Sequence, residues 1–196
     1  MVEKKGIHRI MKTHFDIENI VKKGLITNEL DYDRALIADR KLRLLAKEDP
    51  HFKNLRFKLR DLIEKYENSE WSDVDKVDDN KIIESEKTEH IAEQERLFIE
   101  NRKQAIRKKI KAFDLTQENL ASILGHKSKT HMSELMNGIK PFTLRDLIII
   151  NRLLKIEISL LVPLFLSKED QTKVKEAVIK LDKPNVRLTS DDLVLS

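Results

Sequence analysis

The segment from Ile106 to Val162 constrains this chain most, because short apolar stripes at helical spacing are cut there by two glycines, Gly125 and Gly138. Thr116 precedes Leu120, Ala121 and Leu124; its hydroxyl can satisfy orphan amides at a helix start, and Gly125 supplies the left-handed residue that ends such a helix. A second helix is expected over Ser128 to Met136. It turns Met132, Leu135 and Met136 inward, leaves Lys129, Thr130, Ser133 and Asn137 outside, and stops at Asn137-Gly138. Helices this short bury their stripes only against others, here Ile106, Ile110 and Phe113 before them and a helix from Leu144 to Leu154 after them. The pattern is that of a helix-turn-helix with one face left outside.

With 37% charged residues, four glycines, four prolines and 5% aromatics, the whole chain reads as all-α, and its 196 residues suit two small modules. The absence of cysteine excludes disulfides and thiolate metal sites, and the six histidines are too scattered for a ligand set. His90-Ile91-Ala92-Glu93 reads as a piece of charged helix. No phosphate-cradling glycine loop and no nucleophile motif is present, so the expectation is a binding protein without catalytic residues, cofactor or metal. The greasiest window, Leu147 to Leu166, carries Asn151, Arg152, Lys155 and Glu157, and the first residues lack an apolar run of signal length; a cytoplasmic protein is expected.

Charge is segregated along the chain. Residues 67–100 hold four Lys/Arg against 12 Asp/Glu, a net −8, whereas residues 101–166 hold 12 against five, a net +7. Positive charge gathered on the module with an exposed helix is what phosphate binding by counterion release requires.

Before that module, Asp16 and Gly24 bracket a short helix around Ile17, Ile20 and Val21, and Thr27 is expected to cap a helix to about Lys47 with Ala35, Ala38, Leu42 and Leu45 inside. Asp49-Pro50 restarts the chain into a helix carrying Phe52, Leu55, Leu59, Leu62 and Tyr66 on one face, so the two should form an antiparallel hairpin. The expected division is residues 1–68, an N-terminal helical module; 69–95, an acidic linker and the start of a long helix running from Ile82 to Phe113; 96–166, a five-helix DNA-binding domain; and 167–196, a C-terminal helix opened by Ser167 and Asp170, then a tail. The linker is read as solvated.

Leu115-Thr116-Gln117 with Leu120-Ala121 and Leu124-Gly125, the run Ser133 to Leu144, and Leu153 to Ile156 with Leu160-Leu161 resemble the Xre or lambda-repressor-like helix-turn-helix. The Asn137-Gly138-Ile139-Lys140-Pro141-Phe142-Thr143-Leu144 ending is similar to HigA-family antitoxins. Residues Ile26 to Leu36, with the amphipathic helix to Glu67, look like the N-terminal hairpin of longer proteins of that family. Gly125 to Gly138 is one residue longer than the family spacing, and Ile139 stands where a basic residue is usual. The resemblance implies an antitoxin of a type II toxin-antitoxin pair that binds operator DNA as a homodimer, represses its own operon and neutralises a HigB/RelE-like ribonuclease toxin. The alternatives are a stand-alone phage or chromosomal repressor without a toxin, and an interaction scaffold whose helix-turn-helix has lost its DNA role.

In such motifs the second helix enters the major groove and its first residues meet base edges. Lys129 can donate to guanine and Thr130 can bond a base or touch a thymine methyl, while Gln117, Ser128, Ser133, Asn137 and Lys140 are expected on phosphates; Lys127 completes the DNA-contacting set. Glu134 would repel phosphate unless it faces cytosine. The run containing Ile158, Leu161, Leu164 and Phe165 is the expected dimer patch, being more apolar than one small domain needs.

Overall fold

A computed structural model describes residues 16–72, 78–163, 168–183, 185–186 and 188, and among these the chain is all-helical. Two cores form, and a single long helix makes contact with the helices of both.

The first core is a helical hairpin with a short helix at its base. α1 (Ile17–Lys23) is capped by Asp16 and ended by Gly24 in the left-handed region. α2 (Glu29–Leu45) is capped by Asn28 rather than Thr27: the Asn28 side chain lies one residue closer and accepts from the Asp31 amide. α3 (Pro50–Glu70) starts at the Asp49 cap with proline in its first turn, where no amide is required. Ala35, Ala38, Leu42 and Leu45 face Phe52, Leu55, Leu59 and Leu62, the two stripes expected to meet.

α4 (Asp79–Ala112) is one rod of 34 residues. Its acidic first half is helical and mostly solvent-exposed, as expected of a solvated segment, but it touches α2 at a few points. Ala92 is buried against α2, Arg34 pairs with Glu95 through two of its nitrogens, and the Ser85 hydroxyl donates to Glu29. The acidic residues therefore answer cations on α2 as well as the helix dipole. Its basic second half carries Ile106 and Ile110 into the second core. Phe113, expected there as well, caps the helix and stays 52% exposed, because the chain turns away at Asp114.

That second core is closed by α5 (Gln117–Leu124), α6 (Lys129–Asn137), α7 (Leu144–Leu154) and a 3-10 turn at Ile158–Leu160. The capping boxes at Thr116/Asn119 and Thr143/Asp146 fix where α5 and α7 begin. α8 (Lys168–Leu181) follows, and Ser167 and most of the tail fall outside the described residues. No helix among the described residues is long and apolar enough to cross a membrane.

The two cores are stitched together just after α6. Met136 and Phe142 belong to the second core, whereas Ile139 between them is buried in the first, and its carbonyl accepts from the Ile17 amide at 3.1 Å. The C-terminal end of α6 is thereby locked to the N-terminal module.

Candidate nucleic-acid interface

α5 and α6 are joined through Gly125, at φ +85°, and a three-residue turn whose last member, Ser128, caps α6 by accepting from the His131 amide at 3.1 Å. Lys127, Ser128 and Lys129 are exposed there. Lys129 reaches back to Glu118 of α5 at 2.9 Å, a solvated pair that a stronger anion can displace.

From its second residue onward, α6 is engaged by the N-terminal module. The Thr130 hydroxyl donates to Asp49 at 2.5 Å, and this bond, with the one from the His51 amide, holds the Asp49 carboxyl below its ordinary range. Asn137, expected outside, is buried: its side-chain oxygen accepts from Lys103 at 2.9 Å, its amide donates to the Ser133 carbonyl, and its own carbonyl accepts from Lys41 at 3.1 Å. Asn137 thus serves the joint between α2, α4 and α6, which corrects its assignment as a phosphate contact. Ser133 is half-buried beside it, and Gln117 is half-buried in the lining of the same groove.

Lys140 is likewise committed inward. Its ammonium lies 2.7 Å from Glu18 and 2.9 Å from Glu134. Burial alone would lower it, but the two carboxylates more than offset that and hold it above the usual lysine range. Glu134, buried at 2% exposure, also meets His51 at 2.7 Å and His131 at 3.2 Å, so it faces neither phosphate nor cytosine. Glu18, His51 and Glu134 offer ligand-type atoms within 4.8 Å of one another, yet Lys140 already supplies the cation among them.

The outer stripe of α6, Thr130, Ser133 and Asn137, forms one wall of a groove of about 1040 Å³. α4 lines it with Arg96, Lys103 and Arg107, and α2 with Arg40, Lys41 and Arg43. Counting Lys129, seven cations line it against the carboxylates of Glu48, Asp49, Glu93 and Glu100. Arg96 and Glu93 pair with each other at 2.7 Å, and the remaining cations still outnumber the remaining carboxylates, so positive charge prevails. Burial pushes the Lys41 ammonium down to about 8, helped by Lys103, Arg96 and Arg102 and opposed by Glu100. Lys103 is lowered for the same first reason, with Arg107 adding to it.

Composition alone did not single out the α2 and α4 cations. Their spacing carries the signal: Arg96, Glu100, Lys103 and Arg107 stand at steps of four, three and four, and Arg40 and Arg43 at three, each set on one helical face. The expected dimer patch needs correction in part. Leu161 has no exposed surface and belongs to the second core; Ile158 is 45% exposed; Leu164 and Phe165 lie outside the described residues.

Lys41 keeps its charge near neutrality at a cost to the fold. A lysine depressed in the native state adds stability above its unfolded value near 10.5, and that stability is lost as pH falls through about 8. Lys41→Met is therefore expected to raise stability at pH 7 by about 1–2 kcal/mol, the released charge burial exceeding one lost hydrogen bond. Urea unfolding at pH 7, 8 and 9, below the range in which the unfolded tyrosines ionise, checks this: the wild type should gain stability relative to the variant as pH rises, and an equal slope in the two would contradict it.

No family model, no curated protein and no solved structure matches this chain.

Proposed function

We propose that this chain is a helix-turn-helix regulator that contacts duplex DNA through the turn and first turn of α6, and that it is the antitoxin of a toxin-antitoxin pair, repressing its own operon as a homodimer and neutralising a HigB/RelE-like ribonuclease. The observation that carries the DNA reading is the exposed Lys127-Ser128-Lys129 corner at the mouth of a groove where cations outnumber carboxylates. An N-terminal helix end beside basic side chains favours phosphate oxygens, while Lys129 is long enough to reach a base edge. With Thr130 bonded to Asp49 and Asn137 buried, each copy reads only a few base pairs, which is why a second copy on a repeated half-site is required. The antitoxin part is supported by the resemblance of two sequence blocks, residues 26–67 and 115–161. The reading places the protein in the cytoplasm.

A second reading, a scaffold whose helix-turn-helix no longer meets DNA, is favoured by the same Thr130–Asp49 and His51–Glu134 bonds. Titration of the purified chain with a duplex from upstream of its own gene, against a shuffled duplex, separates the two. Specific binding at least tenfold tighter than to the shuffled duplex is expected on the DNA reading; equal, weak binding to both supports the scaffold. Co-purification with the product of the adjacent gene tests the antitoxin part.

A further inference from the structure

Three arginines line the groove, two on the N-terminal hairpin and one on α4. Arg40 and Arg43 of α2 and Arg107 of α4 are exposed and make no direct hydrogen bond or ion pair among the described residues, although the Arg40 charge helps hold the Glu93 carboxyl low. They differ in this from Arg34, Arg56 and Arg96, which pair with Glu95, Asp39 and Glu93. The same groove is lined by half-buried Lys41 and Lys103, by Ser133 and Asn137, and also by Leu44, Phe52 and the carboxylates of Glu48 and Glu100, so cations exceed carboxylates without excluding them.

We infer that the groove between α2, α4 and α6 seats a phosphodiester backbone of duplex DNA, with Arg40, Arg43 and Arg107 as phosphate contacts, so that the N-terminal hairpin is part of the DNA-binding surface. The inference rests on the DNA reading above and extends it to residues outside the helix-turn-helix. A helix about 10–12 Å across lying in a major groove about 12 Å wide has a row of phosphates along each side. α2 and α4 stand beside the Thr130/Ser133/Asn137 stripe, where one such row runs when the Lys129 end of α6 faces the bases. Arginine suits such contacts because its planar fork grips two phosphate oxygens at once. Seating an anion there also relieves the mutual repulsion of Lys41 and Lys103, which removal from water has left poorly compensated.

The test is the salt dependence of binding to the upstream duplex, for the wild type and for the Arg40→Ala/Arg43→Ala/Arg107→Ala triple variant of the full chain. All three side chains are exposed, so the melting temperature should not move. The triple variant is expected to lose about three from the log–log salt slope, about one per arginine, and to weaken equally on upstream and shuffled duplexes, keeping their ratio. An unchanged slope in a variant that still discriminates the two duplexes overturns the groove as the backbone seat while leaving the DNA reading intact. Tighter binding of a single-stranded oligothymidine or of polyglutamate than of duplex, lost in the variant, assigns the groove another occupant and also overturns the inference. A wild type with no salt-dependent binding to any duplex removes the DNA reading itself, and the inference with it.

Discussion

Alanine at Gly138 is expected to destabilise the protein by about 2–5 kcal/mol, a left-handed backbone costing about 1–2 and forced overpacking about 1–3. Gly138 ends α6 at φ +69°, and a Cβ built on it lies 2.7 Å from Ile99 Cγ2 and 2.8 Å from its Cδ1. Ile99 is β-branched and held on α4, so it has little freedom to swing aside. Relief requires moving the end of α6 away from α4, which would strain the Lys103 and Lys41 bonds to Asn137 and draw Ile139 from the first core. Gly125→Ala is the matched control: its φ is +85°, but nothing lies within 4 Å of the added atom, so it should cost only the backbone share. Chemical denaturation of the two variants gives the comparison. Equal losses would mean that α4 and α6 are not in the close contact described.

The pair that fastens α2 to the acidic half of α4 ranks next. Arg34 meets Glu95 through Nε at 2.6 Å and through Nη2, with the two side chains only 18% and 16% exposed. Burial alone would lower the guanidinium, but Glu95 and then Asp31 more than offset it and hold it above its usual value. Removing one member of a buried pair leaves the other charge poorly solvated, worth about 3–5 kcal/mol in full isolation. Asp31 remains 3.1 Å from Arg34, so Glu95→Ala is expected at the low end, about 2–4 kcal/mol. Glu95→Gln, which keeps shape and one acceptor, should cost less. A loss under about 1 kcal/mol in Glu95→Ala would place the pair among solvent-screened ones and leave the first half of α4 without its main polar anchor.

Much of the fold was legible because its signals are local. The Asp49-Pro50 start, the Gly24, Gly125 and Gly138 stops, and the stripes of α2 and α3 each follow from cap chemistry or helical period, and each stands where it was expected. What was not legible depends on how elements meet. Nothing in the local sequence says that Ile139 joins the core of residues far upstream, yet that choice buries Asn137 and draws Lys140 to Glu18. Within an acidic run that is mostly exposed, nothing local singles out Glu95 and Ala92 as the residues that meet α2. Leu161 was read as surplus apolar surface because a sequence does not tell how deep a small core runs. Lys127, Ser128 and Lys129, which lie before the joint between the modules, keep the exposed placement expected of them.

Those three residues carry the central claim, that the first turn of α6 meets DNA. The most direct measurement replaces Lys129 with a photo-crosslinking residue, and separately Glu64 on the exposed face of α3, then irradiates each variant with bound upstream duplex. Covalent capture from position 129 and none from position 64 is predicted. Capture from position 64 alone, or tight duplex binding that never captures from position 129, would contradict it.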